Sequence, residues 1–101
     1  MDATEIKDIV LEALRNANLS RPADDQLRVA EDAVIFGPGS PLDSMGLVGL
    51  LIDIEEALQG RGVRVSLSDD RAMSQARSPF RNVPRLVEFI AGSIALAGAS
   101  R

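Results

Sequence analysis

Histidine and cysteine are both missing from the 101 residues, as are tryptophan and tyrosine, and only three phenylalanines stand in for the aromatics. Each absence removes a class of chemistry. Without cysteine there is neither a disulfide framework nor a thiolate metal site, and the redox compartment leaves no mark on the composition. Without histidine, Cys/His zinc centres, Ser-His and Cys-His nucleophile pairs and imidazole acid-base catalysis all drop out. No enzymatic activity of the chain's own is expected. A nucleic-acid surface wants basic residues interleaved with aromatics, and the aromatic half of that pattern is absent, so no nucleic-acid partner is expected either. The longest apolar stretch is broken by Asp53, Glu55 and Glu56, and the N-terminus carries acids in place of a basic flank and apolar run. Neither a membrane span nor a signal peptide is therefore expected, and a cytoplasmic location is the default.

What is present is aliphatic. Hydrophobic residues make up 46% of the sequence while aromatics make up 3%. That balance favours packed helices over a sheet, since strands draw on aromatic and β-branched side chains. The length suits one domain with one modest core, expected over about residues 4–96. The net charge of −4 conceals an asymmetry, because residues 1–58 hold 4 basic and 12 acidic side chains whereas residues 59–101 hold 7 basic and 3 acidic.

Periodicity predicts the elements. Ile6, Val10, Ala13, Leu14 and Ala17 recur on one face of a first amphipathic helix, and Asp2 with Glu5 has capping-box spacing at its start. From Asn18 to Asp43 no period holds, and Pro22, Asp24-Asp25 and the Gly37-Pro38-Gly39-Ser40-Pro41 run read as a long loop. A loop of this length is unusual unless functional or tied down, and Leu27, Val29, Val34, Ile35 and Phe36 are candidates to anchor it, by way of a short helical turn. A second helix is expected from Ser44 to about Leu58, closed by Gly60 in a left-handed cap. Val63, Val65 and Leu67 alternate with Arg64 and Ser66, as in a short strand or an extended connector. Ser68 would cap a short helix over 69–76 with Met73 and Ala76 facing inward. A last helix starts near Asn82, accommodates Pro84 in its first turn and repeats Val83, Leu86, Val87, Ile90 and Ile94, leaving 97–101 as a frayed tail. The fold class is thus all-α, a small bundle of three main helices plus one short helix.

The second helix carries more apolar residues than one face needs. Leu47, Leu50, Leu51, Ile54 and Leu58 share a narrow sector and form its core face. Met45, Val48 and Ile52 make a second stripe flanked by Glu55 and Glu56, which either packs beneath the loop or connector or receives a partner. Ser44 at the helix start reads as an N-cap. The same position favours an anion, so a phosphodiester would be well placed there. The preceding glycines do not make a phosphate-binding P-loop, because no Gly-Lys-Ser/Thr follows, and Ser44 has no histidine to activate it as a nucleophile.

The segment Phe36-Gly37-Pro38-Gly39-Ser40-Pro41-Leu42-Asp43-Ser44-Met45-Gly46-Leu47-Val48, with Ile54-Glu55-Glu56 beyond it, resembles the prosthetic-group site of the acyl carrier proteins. That family carries Asp-Ser-Leu, matched here by Asp43-Ser44-Met45, at the head of a helix that ends in a Glu pair. The likeness extends over most of the chain in element order: first helix, long loop, Ser-led helix, short helix after Leu67-Ser68-Asp69-Asp70, and last helix after Phe80-Arg81-Asn82-Val83. It implies a 4′-phosphopantetheine arm attached to Ser44, with Asp43 read by the attaching phosphopantetheinyl transferase. The thiol of the arm would hold acyl groups as thioesters, so a chain without cysteine would borrow its working sulfur. Met45, Val48 and Ile52 would give apolar contacts to partners, and Glu55 and Glu56 would meet basic partner surfaces. Those partners are an acyl-loading ligase or synthase and downstream acyl-using enzymes, with the carrier expected as a monomer.

Gly46 and Gly49 depart from the acids that carriers of fatty acid synthesis commonly place there, at about 1 kcal/mol of helix propensity each. The resulting face is less acidic and more apolar, which suits a free-standing carrier of a specialised pathway of fatty acid or polyketide type. An aminoacyl or peptidyl carrier shares the mechanism with a different cargo. An unmodified four-helix interaction module, with Ser44 as a cap only, is the rival from another class. Arg61, Arg64, Arg71, Arg77, Arg81 and Arg85 form either a solvated face or a second docking patch. Asp24-Asp25 and Asp69-Asp70 lack the glycine and distal glutamate of a calcium loop, and no metal is expected.

Overall fold

A computed structural model describes residues 2–37, 39–67 and 80–99. Helix α1 spans Ala3–Asn18, α2 spans Ser44–Gln59 and α3 spans Val83–Ala99, with a 3₁₀ turn at Ala23–Asp25 inside the long loop. The only strand-like pairing among the described residues is a single antiparallel bridge between Val34 and Asn82. The all-α class is therefore observed. The short helix expected over 69–76, its cap Ser68 and its inward residues Met73 and Ala76 lie outside the described residues, as do Arg71 and Arg77. No helix among the described residues is long and apolar enough to cross a membrane.

Helix α1 begins where its local chemistry dictates. The Glu5 N–H donates to Asp2 Oδ1 at 2.9 Å and the Asp2 N–H to Glu5 Oε1 at 3.4 Å, closing the capping box. Its inner face is Ile6, Ile9, Val10, Ala13 and Leu14, all buried. Ile9 widens the expected stripe on one side, and Ala17, within the stripe but in the last turn of the helix, is only half-buried. A stripe this broad lets α1 pack against both α2 and α3. The inner face of α2 is the expected one, with Leu47, Leu50, Leu51, Ile54 and Leu58 no more than 2% exposed. From α3 come Val83, Leu86 and Ile90, while Val87 and Ile94 are half-buried. Phe80, fully buried just before α3, meets the Phe89 ring edge-on with centroids 5.3 Å apart.

The helix ends differ in part from expectation. Gly60 has right-handed backbone angles (φ −62°, ψ −18°), and the left-handed residue is Gly62 at φ +82°. The Val63 N–H donates to the Leu58 carbonyl and the Gly62 N–H to the Gln59 carbonyl, a Schellman arrangement that puts the left-handed position two residues later than the first available glycine. Helix α3 starts as expected, with the Arg85 N–H donating to Asn82 Oδ1 at 2.9 Å. Its C-terminal end runs through Ala99, so residues 97–99 are helical and not a frayed tail.

Truncating Leu50 or Ile54 to Ala is expected to cost about 2–5 kcal/mol, because each removes a fully enclosed side chain from the contact between α2 and the rest of the core. Denaturant midpoints of the two variants near that of wild type would contradict the assignment of the inner face.

Candidate functional site

The long loop is tied down in three places before it reaches Ser44. At its start, Asn18 acts like a piece of backbone: its Nδ2 donates to the Leu27 carbonyl at 2.9 Å and its Oδ1 accepts the Leu27 N–H at 2.7 Å. In its middle, the Ile35 N–H donates to the Arg81 carbonyl and the Val83 N–H to the Ala33 carbonyl, joining the loop to the entry of α3. Ala33 and Ile35 are thereby buried beside Leu27, whereas Val34, expected to face inward, is 40% exposed because it lies on the outer side of this pairing. Val29 and Phe36 are half-buried.

The third tie is the ledge of residues 40–43. Gly37 and Gly39 take positive φ (115° and 92°), a backbone region that side-chain-bearing residues seldom adopt, and the chain turns back there. Ser40 Oγ donates to the Ile35 carbonyl at 2.6 Å and accepts the Leu42 N–H at 3.3 Å. From the α1 side, the Arg21 guanidinium donates to the Asp25 carbonyl at 2.6 Å and to Asp25 Oδ2 at 2.9 Å. It also makes a longer contact of 3.4 Å to the Pro41 carbonyl. Leu42 then turns inward and is 6% exposed.

The helix start itself differs from the expected one. The N-cap of α2 is Asp43, with extended backbone (φ −91°, ψ −179°) and Oδ1 accepting the Gly46 N–H at 2.7 Å. Ser44 is the first helical residue and not the cap. The capping role expected of Ser44 belongs to its neighbour Asp43. Asp43 and Met45 on either side of it are exposed.

Along the outer face of α2, Met45 is 85% exposed and Ile52 is 42% exposed, while Val48 is half-buried. Residues 44–52 carry no charged side chain, and the acids Asp53 and Glu56 that follow are exposed. Glu55 differs from Glu56. It is half-buried, and its Oε1 accepts the Leu67 N–H at 2.6 Å, pinning the 63–67 connector, whose Leu67 is fully enclosed, along the flank of α2. The carboxylate assigned to partners by the resemblance thus has work inside the fold. The connector is extended and, among the described residues, unpaired as a strand.

Two clefts lined by described residues lie away from this corner. One of about 350 Å³ opens between α1 and the far end of α2, where Asp53, Ala57 and Arg61 line it. At 1.5 Å of rise per residue, Asp53 is about 14 Å along the helix from Ser44. Another of about 290 Å³ lies between α1 and the start of α3, beside Lys7 and Glu31, whose hydrogen bond and charge raise the Lys7 pKa above its ordinary value. No group of three or more acidic side chains among the described residues is gathered to hold a metal ion.

Arg21, Ser40 and Leu42 are parts of the site that periodicity does not reveal. The Asp43 cap had a signal in its residue type, since aspartate is among the favoured N-cap residues, but Gly46 lacks the side chain that completes a capping box as Glu5 does for Asp2. Comparison with protein-family models, with characterised proteins and with solved structures finds no match for the chain.

Asp43→Ala is expected to lower stability by about 1 kcal/mol through loss of the cap. Ser44→Ala should stay within about 0.5 kcal/mol of wild type. Urea denaturation of the two variants decides the matter, and the reverse ranking would return the capping role to Ser44.

Proposed function

We propose that the chain is a free-standing acyl carrier protein, with Ser44 the attachment point of a 4′-phosphopantetheine arm. The observation that carries the reading is the division of labour at the start of α2. Asp43 holds the helix end, leaving Ser44 at a first-turn position of a helix whose dipole and unsatisfied N–H groups favour an attached phosphodiester. In the modification, the serine hydroxyl oxygen bonds to the phosphorus of the pantetheine phosphate of coenzyme A. The bond from that phosphorus to the adenosine bisphosphate breaks, and the hydroxyl proton passes to a base. With no histidine in the chain, that base is not an imidazole of the carrier, and we assign it to the phosphopantetheinyl transferase. The thiol of the arm would then carry acyl groups as thioesters between a loading ligase or synthase and downstream enzymes. Asp43, exposed and acidic beside Ser44, remains open to the transferase.

The outer face of α2 supports the same reading. Met45 beside Ser44 and Ile52, about 12 Å further along α2 than the serine, are exposed on its outer face, and Glu56 extends the row with an exposed acid. Glu55 contributes to this face chiefly by fixing the connector, so charge contacts with a partner fall to Glu56 and Asp53. A specialised pathway suits a docking surface whose first two turns are uncharged. An aminoacyl or peptidyl cargo would use the same site and chemistry.

The test is the intact mass after incubation with coenzyme A and a broad-specificity phosphopantetheinyl transferase. Wild type should gain one phosphopantetheine unit and Ser44→Ala none. In the same assay Ile52→Glu should fold with stability within about 0.5 kcal/mol of wild type yet be modified more slowly, because it brings a charge to the apolar part of the docking face. Absence of any mass gain by wild type, or modification at Ser40, Ser66 or Ser68, would overturn the carrier reading and favour an unmodified interaction module. Unfolding of Ile52→Glu would show that the stripe belongs to the core.

A further inference from the structure

Of the helical glycines Gly46, Gly49 and Gly92, Gly46 is the one whose missing side chain is used by a neighbour. A Cβ placed there would stand 2.7 Å from Leu42 Cδ1, 3.2 Å from Asp43 Oδ1 and 3.4 Å from Leu42 Cγ. At Gly49, one turn on, a Cβ would meet nothing within 4 Å. The two glycines therefore differ in kind. Gly49 is simply open, whereas Gly46 forms a notch into which the Leu42 side chain is seated, and its own N–H is the one that Asp43 Oδ1 accepts at 2.7 Å. Leu42 and Asp43, the two residues immediately before Ser44, are thus both fastened to the residue two places after it. The apolar tie and the polar tie converge on Gly46 and fix the backbone on both sides of Ser44.

Resting on the carrier reading of Ser44, we propose that Leu42, seated in the Gly46 notch, is a positioning residue for phosphopantetheine transfer to Ser44. Its burial anchors the ledge to the core, and its contact with Gly46 sets how the ledge meets the first turn of α2. The same packing fixes a feature of recognition. No side chain, acidic or otherwise, fits at position 46 without displacing Leu42, so a transferase that accepts this protein does so without a side-chain contact two residues beyond the serine. A shift of the ledge by a few tenths of an ångström would leave the outer face at Met45 and Ile52 in place but move the serine relative to it. The loss is then in the chemical step and not in docking, since small misplacements of reacting groups cost rate steeply.

The experiment is a kinetic comparison of wild type, Gly46→Ala, Leu42→Val and the double variant Leu42→Val/Gly46→Ala, with coenzyme A and the broad-specificity transferase. Helical circular dichroism and thermal midpoints are recorded for each. Gly46→Ala should lower kcat about tenfold or more with KM within about twofold of wild type. The double variant should recover most of that kcat, because valine lacks the Cδ1 atom that the new methyl would strike, while its Cγ lies where 3.4 Å of separation is tolerable. Relief of the clash would restore stability as well as geometry, so it is a kcat loss and recovery among variants whose thermal midpoints all lie well above the assay temperature that marks positioning, and a kcat loss that only tracks the thermal midpoint overturns it. Unchanged kcat in Gly46→Ala overturns the proposal, and so does a loss that Leu42→Val fails to relieve. If wild type itself is not modified, it is the carrier reading that fails, and the four-way comparison of thermal midpoints still reports whether Leu42 and Gly46 are coupled.

Discussion

A single hydrogen bond, from the Gly46 N–H to Asp43 Oδ1 at 2.7 Å, fixes where α2 begins, and the rest of the corner follows from it. A helix start leaves N–H groups without partners, and an acidic side chain is well suited to take one of them. Because Asp43 does so, its backbone is extended, the chain before it runs along the ledge and the chain after it winds at once into helix. Moving the cap by one residue would rotate every later position of α2 by about 100° relative to the ledge. The core face of Leu47, Leu50, Leu51, Ile54 and Leu58 then would no longer coincide with the surface that α1 presents. Core packing and cap chemistry agree on one register, in which Asp43 is the cap and Ser44 the first helical residue.

The remaining ties serve the same corner from different directions. Arg21 and Ser40 fasten the loop with polar contacts, Leu42 with an apolar one, and the Ile35 and Val83 amides join the loop to the entry of α3. On the other flank, Glu55 holds the connector against α2 through the Leu67 amide. The solvent face of α2 includes a row from Met45 through Gly49 and Ile52 to Glu56, with Asp53 and Ala57 exposed on the side toward α1. Its first two turns are uncharged, and its glycine at 49 leaves the surface low there. Burial of the inner face supplies most of the stabilisation, at about 25 cal/mol per Å² of apolar surface removed from water, so the outer row is free to be apolar for another purpose.

The regular elements were legible in the sequence because repeating side chains report which face is buried. The helical spacing of Ile6, Val10, Ala13 and Leu14, the Asp2–Glu5 capping box, the inner face of α2 and the start of α3 at Asn82 all follow from that. Long-range partners are not periodic, and there the sequence was opaque. Val34 was expected inward because it is apolar, but the pairing of Ala33 and Ile35 with the segment before α3 turns it outward. Gly60 was the nearer glycine, yet the helix winds on until Gly62, where the Val63 amide can reach back to Leu58. Ser44 was read as the cap from its residue type, while Asp43 one position earlier is an equally favoured cap residue and is the one whose carboxylate accepts the Gly46 amide. Glu55 looked like surface charge because its partner, a backbone amide twelve residues away, leaves no trace in residue type. The proposed Asp43-Ser44-Met45 site rests on a short motif and element order read from the sequence, while the packing around it, Leu42 against Gly46, required coordinates.

The central claim is that Asp43 caps α2 while Ser44, its neighbour, carries the prosthetic arm. Hydrogen exchange at the Gly46 amide, followed by NMR before and after treatment with coenzyme A and a phosphopantetheinyl transferase, tests both halves at once. The account predicts that the protein is loaded on Ser44 and that the Gly46 amide is as slow to exchange after loading as before. Loading accompanied by fast exchange at Gly46 would mean that the serine hydroxyl had been the cap, and a protein that stays unloaded under these conditions would contradict the account outright.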